Sequence, residues 1–97
     1  MEKYQLYIDG KFQDSSSKKT FESLNPATEE PWALVPEAET EDVNKAVNAA
    51  YNAFHGEWSS FLPNERAKFL RAIGDQLKNN AELLGTIETR DTGKMYK

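Results

Sequence analysis

Thr40-Glu41-Asp42-Val43-Asn44-Lys45-Ala46-Val47-Asn48-Ala49-Ala50-Tyr51-Asn52-Ala53-Phe54-His55-Gly56 is the stretch that decides the fold. Val43, Ala46, Val47, Ala50 and Phe54 recur at the i, i+3, i+4, i+7 spacing of one helical face, which is expected to be buried. Asn44, Lys45, Asn48 and Asn52 fall on the opposite, polar side. Thr40 is the expected N-cap, and Glu41 and Asp42 suit the positive end of the helix dipole. Gly56 is placed to stop the helix. His55, in the last turn, reads as a residue that favours the negative end of the dipole rather than as a catalytic group.

Towards the C-terminus the same period returns twice. Pro63 suits the first turn of a second helix, where its missing N–H costs nothing. Ala67, Leu70, Ile73 and Leu77 form its stripe, with Phe69 alongside. Gly74 interrupts it at a cost of about 1 kcal/mol relative to Ala, so close packing is expected there. Asn79-Asn80 breaks the pattern, and Asn80 is the expected cap of a third helix. Ala81, Leu84, Ile87 and Asp91 share the face of that helix, and Gly93 ends it. Trp58 and Phe61 lie between the first two helices, where aromatics serve mainly as packing anchors.

Towards the N-terminus the period changes from 3.6 to 2. Tyr4, Leu6 and Ile8 alternate with Gln5 and Tyr7, the signature of a half-buried strand. Asp9-Gly10 predicts a tight hairpin, with Lys11-Phe12-Gln13 as the returning strand. Thr20 to Leu24 reads as another extended piece closed by Asn25-Pro26, because a residue before proline is pushed to extended geometry. Trp32 to Val35 is a further short strand before Pro36. These pieces do not evidently close a sheet, and a lone hairpin is marginal in water. The helical stripes therefore need a partner, and a sheet outside this sequence is the natural one.

The balance of residues removes several classes of function. A net charge of -4 and a pI near 5.0 give no basic patch for nucleic acid. Lys18-Lys19, beside Ser15-Ser16-Ser17, reads as a solvated turn. The carboxylates Glu37, Glu39, Glu41 and Asp42 read as a solvated loop and helix start. There is no cysteine, hence no disulfide, thiolate metal site or cysteine nucleophile in this sequence. His55 is the only histidine, which rules out a histidine metal cluster. The glycines, at 10, 56, 74, 85 and 93, are too far apart for a dinucleotide-binding loop. Gly93-Lys94 ends in Met95, where a Walker loop needs Ser or Thr. No secretory signal opens the chain, and Trp32 to Val35, its longest apolar run, is too short to cross a bilayer. The expectation is a cytoplasmic protein without membrane or nucleic-acid partners.

The order of segments is more specific than any one of them. Tyr7-Ile8-Asp9-Gly10-Lys11-Phe12 is followed by Phe21 through Asn25-Pro26-Ala27-Thr28. Glu41-Asp42-Val43, Ala46-Val47 and Ala49-Ala50 precede Phe54 and Trp58. Glu65-Arg66-Ala67 and Leu70-Arg71 lead to Glu88-Thr89-Arg90-Asp91-Thr92-Gly93-Lys94. This series resembles the N-terminal region of the aldehyde dehydrogenase superfamily, and the match covers essentially the whole chain.

The resemblance implies an α/β fold in which an N-terminal hairpin and short strands precede three amphipathic helices, as part of a cofactor-binding domain. Residues 1–97 would be the first part of that domain, with strands and loops over 1–36 and helices over 40–93. It implies NAD- or NADP-dependent oxidation of an aldehyde substrate to a carboxylic acid, through a cysteine thiohemiacetal, hydride transfer and glutamate-assisted hydrolysis. Those catalytic and cofactor-binding residues would follow Lys97, so none is assigned here and the chain alone is expected to be inactive. Betaine-aldehyde-dehydrogenase-like members imply one lesser site, a monovalent cation such as potassium near Ser23, Leu24 and Asp91. The plain alternative for Asp91 is that it caps or braces the third helix. The resemblance also implies a homo-oligomer, usually a dimer or tetramer, for the full-length protein. The competing expectation is a stand-alone helical interaction module, docking through faces such as Val43, Val47 and Phe54.

Overall fold

A computed structural model describes residues 1–95. The elements are β1 (Glu2–Lys3), β2 (Leu6–Ile8), β3 (Lys11–Gln13), β4 (Thr20–Leu24), β5 (Pro31–Pro36), α1 (Thr40–His55), α2 (Glu57–Ser60), α3 (Pro63–Asn79) and α4 (Ala81–Thr92). The architecture is mixed α/β, as expected, with a one-turn α2 between α1 and α3 and Asn80 alone between α3 and α4.

The hairpin β2–β3 closes through Asp9 and Gly10, both at positive φ (52° and 76°), the geometry that matches strand twist in a two-residue turn. Two strand expectations are corrected. Tyr4 does not continue the strand of Leu6 and Ile8; β1 pairs in parallel with β5, and the Tyr4 N–H donates to the Leu34 carbonyl at 3.0 Å. The strand pieces also do assemble, into a three-stranded sheet of order β1-β5-β4. A two-residue parallel strand has no periodicity to read, and so this sheet is not evident from the sequence.

The start of α1 is likewise built differently from expectation. Thr40 is the first helical residue of α1 and Glu39 precedes it as the cap. The Glu39 N–H donates back to Asp42 Oδ2 at 2.9 Å, which is half of a capping box. In α3 the Leu62 N–H donates to Glu65 Oε1 at 3.0 Å in the same way. Asn80 is the N-cap of α4 as expected, its carbonyl accepting the Leu84 N–H at 2.9 Å. Its side-chain amide donates to the Gln76 carbonyl at 2.8 Å and so serves the end of α3 instead of bonding into α4.

The largest departure concerns burial. The stripe of α1 is not covered: Val43, Val47 and Phe54 are 53%, 60% and 66% exposed. Asp42, Ala46 and Ala49 are the positions of α1 that are buried or half-buried. On α3 and α4, Leu70, Ile73, Leu77, Leu83 and Leu84 all remain exposed. Gly74 has open space where its Cβ would be, so the expected close packing is not made within the described residues. Ile8, Ala33 and Pro36 are the buried apolar residues among those described.

The molecule is consequently a slab of 48 × 37 × 16 Å with a radius of gyration of 16.8 Å. A compact chain of this length would have a radius of about 12.5 Å. Its accessible surface is 7913 Å², against about 5,600 Å² for a self-contained monomer of the same mass. Domains bury a core between packed layers, and among the described residues no second layer covers the helical stripes.

Candidate functional site

Asp91, in the last turn of α4, meets the β4–β5 edge of the sheet. Ser23 Oγ donates a short hydrogen bond to Asp91 Oδ1, and Trp32 Nε1 donates to the same oxygen at 3.2 Å. The Arg90 guanidinium lies 5.4 Å over the Trp32 ring, and Tyr4 meets that ring edge-on at 6.0 Å. A cleft of about 320 Å³ opens here, lined by Tyr4, Ser23, Trp32, Leu84, Ile87 and Asp91 among others. Of the three residues singled out for a cation, Ser23 and Asp91 are thus brought together across 68 positions of sequence. Leu24 follows on the same strand, half exposed and outside the cleft lining.

Chemically this is a brace with one oxygen to spare. Oδ1 is occupied by two donors from the sheet, which fixes α4 against it. Oδ2 takes no hydrogen bond from the described residues. The described residues contain no group of three or more His, Cys, Asp and Glu able to hold a metal. Trp32 was not anticipated in this site. Its signal was the indole N–H, which must find an acceptor once the ring is half-buried.

The same corner joins two of the motifs read from the sequence. Gly93 ends α4 at φ 79°, and a Cβ there would lie 3.4 Å from Pro26. Asn25 Oδ1 accepts the Ala27 N–H at 2.9 Å, and the Asn25 carbonyl accepts from Thr28 and Glu29. The Asn25-Pro26 turn is thereby held against the Thr92-Gly93 stop.

In the acidic stretch Glu37 and Glu41 are solvated as expected, but Asp42 is not, and it forms a second polar centre. Asp42 is 5% exposed, and its carboxylate accepts the Ser16 N–H at 3.0 and 3.1 Å and the Ser16 hydroxyl at 3.1 Å. With the Glu39 N–H these donors hold its pKa below the ordinary 3.8; Glu39 contributes most, then the Ser16 N–H, with Lys45 adding its charge. The Ser15–Lys19 turn is solvated at Lys18 and Lys19 as expected, but it is anchored at its start. Ser15 is buried, its hydroxyl donates to the Lys19 carbonyl at 3.3 Å, and Ser16 is fastened to α1. Lys45 Nζ donates to Gln13 Oε1 at 2.7 Å and ties α1 to the hairpin. His55 ends α1 as expected and packs beside Tyr51 and Phe54.

Trp58 and Phe61 pack as the aromatic anchors expected of them. Their rings lie 5.6 Å apart and each lies 5.6 Å from Phe69. The Arg66 guanidinium sits 5.6 Å over Trp58.

Neither centre contains a nucleophile, a glycine-rich phosphate loop or a water-activating base, so the residues present do not fit a nicotinamide cofactor site. What the described residues do form is a small sheet with amphipathic helices open on one side. Residues 12–97 match the aldehyde dehydrogenase family. A dehydrogenase of Acinetobacter baylyi, specified for (Z)-2-((N-methylformamido)methylene)-5-hydroxybutyrolactone, is 45% identical over 98 residues, covering 100% of this chain and 20% of the relative. An aldehyde dehydrogenase of Aspergillus niger is 43% identical over 92% of this chain and 18% of its own length. Among solved structures, betaine aldehyde dehydrogenase of Staphylococcus aureus in complex with NAD+ superposes with a TM-score of 0.90 at 41% identity, over 95% of this chain and 19% of that one. Aldehyde dehydrogenase of Bacillus cereus gives 0.93 at 40%, over 98% and 20%. The chain belongs to the aldehyde dehydrogenase family and spans about one fifth of the length of the curated relatives it matches. Among the described residues no helix is long and apolar enough to cross a membrane.

Proposed function

We propose that this chain is the structural opening segment of an NAD(P)-dependent aldehyde dehydrogenase, and that residues 1–97 form the first part of its cofactor-binding domain. The single observation that carries the reading is the uncovered apolar face of α1, α3 and α4 in a chain similar to one fifth of such enzymes. The strands over 1–36 and helices over 40–93 supply edge and outer layer, while the nucleophile, the base and the cofactor loop belong to the segments that cover that face. The same exposure counts against a self-standing helical module, which would have to leave its stripes in water. The substrate is an aldehyde, with a betaine-type aldehyde as the leaning drawn from the Staphylococcus aureus enzyme. The assembled enzyme is a cytoplasmic homo-oligomer.

The test is complementation. The chain with NAD+ or NADP+ and an aldehyde is expected to give no reduced cofactor. Co-expression with a family relative lacking its own first fifth is expected to restore it. Reduced cofactor from the chain alone, or none from the pair under conditions where the intact relative is active, would overturn the reading.

A second reading concerns Asp91, because its Oδ2 stays open beside a cleft. Its carboxylate and nearby backbone carbonyls are hard oxygen ligands that suit potassium. If a cation shares this corner with the brace, replacing potassium by a large organic cation lowers the melting temperature of the complete enzyme more in wild type than in Asp91→Ala. Equal sensitivity leaves the brace as the sole role.

A further inference from the structure

Arg66 lies in the first turn of α3, and its environment is incomplete. Its Nε–H is buried with no hydrogen-bond partner among the described residues. One terminal nitrogen, Nη2, donates to the Ser59 carbonyl at a long 3.3 Å. No carboxylate of the described chain pairs with it: Glu65 is turned to the Leu62 N–H, and the one ion pair described is Lys94–Glu88. A guanidinium carries five donors in a planar fork, and a buried donor left without an acceptor costs the full desolvation of that group.

What surrounds the fork is built rather than loose. Trp58 lies under the guanidinium plane, Trp58, Phe61 and Phe69 pack ring against ring, and Phe69 and Leu62 remain 50% and 61% exposed. The stack holds the fork in one orientation, and the apolar collar excludes water from whatever meets it. Aromatic rings with one arginine are the composition enriched at buried interface centres. One fixed positive charge in such a collar matches a single carboxylate, taken in the two-pronged geometry that arginine favours.

We propose that Arg66 receives an Asp or Glu carboxylate presented by the segment of the enzyme that covers α3, and that this pair anchors the chain in the assembled domain. The inference rests on the complementation reading above and gives that interface its charged partner. Arg66 is a positioning residue, with no contact to reacting atoms.

The experiment uses the 97-residue chain and a relative lacking its first fifth, with association followed by isothermal titration calorimetry. Arg66→Met keeps length and apolar contact but removes the fork. It is expected to weaken association by at least about 30-fold, the cost of stranding one member of a buried pair, with the helix content of the free chain unchanged by circular dichroism. In Arg66→Lys a carbodiimide should join the new amine to a facing carboxylate as an amide, the carbodiimide taking up the water as a urea. Mass spectrometry should then find residue 66 linked to one Asp or Glu of the partner. Association of Arg66→Met within about threefold of wild type, or no adduct at residue 66, overturns the proposal alone. Failure of the wild-type chain to associate overturns the complementation reading, and this proposal with it.

Discussion

Residues 1–42 and residues 57–92 obey different rules, although both are regular structure with sound hydrogen bonding. The first region closes on itself. Its strands pair across the sheet, Ile8 and Ala33 are buried, and Asp42 gathers donors from a loop 26 residues earlier. The second region satisfies its backbone within each helix but leaves its apolar stripes in water; α3 and α4 touch each other little, and α4 is fixed to the sheet mainly through Asp91. Helices need only local hydrogen bonds to be formed, whereas their stability depends on covering a face. The chain is therefore half a finished core and half a surface awaiting one.

The comparison breaks most visibly with paired core substitutions. Ile8→Ala should destabilise the free chain by about 2 kcal/mol or more, the usual cost of removing a buried aliphatic side chain. Ile73→Ala should change the free chain by less than about 0.5 kcal/mol, because Ile73 is already exposed. In the assembled enzyme the second substitution should cost as much as the first. Urea denaturation of free and assembled forms reads both, and equal losses in the free chain would erase the distinction.

Asp91→Ala removes the acceptor shared by Ser23 and Trp32 and should cost the free chain about 1 kcal/mol, a value kept low because the site is open to water. The indole resonance of Trp32 should lose its hydrogen-bonded shift. If that resonance is unmoved, the brace is not formed in solution.

Acid should act on the other region. The Asp42 carboxylate has a lowered folded pKa, so its contribution is fully present above the ordinary value of 3.8 and is lost as pH falls through the lower folded value. Exchange of the Ser16 amide should accelerate across that interval and not above it. In Asp42→Asn the acceleration should vanish, with exchange fast at every pH.

The smallest effect separates the two settings of α3. Gly74→Ala should stabilise the free chain by about 0.5–1 kcal/mol, since nothing there meets a Cβ. If another element approaches Gly74 in the enzyme, the same change should weaken assembly. Thermal melts of free chain and complex report each sign.

What the sequence disclosed follows the same division. The helices were legible because Val43 to Phe54 and Leu70 to Leu77 repeat a local period, and Asp9-Gly10 specified its turn through positive φ. Whether those faces were buried was not legible, because cover is a property of what packs on the helix. Asp42 looked like one acid among four, since its donors come from Ser16 on another loop. Asn80 sits where two helix ends meet, and nothing local decides which one its amide serves. Ser23 and Asp91 were paired only through family resemblance, and Trp32 required the fold.

Amide hydrogen exchange before and after mixing the chain with a relative that lacks its first fifth tests the central claim most directly. In the free chain, protection should be concentrated in β4, β5 and the Asp42 junction, with α3 and α4 exchanging readily. On mixing, α1, α3 and α4 should gain at least about tenfold protection, equivalent to 1.4 kcal/mol or more, while β4 and β5 change little. Full protection of α3 and α4 in the free chain, or none gained in the active mixture, would contradict the account.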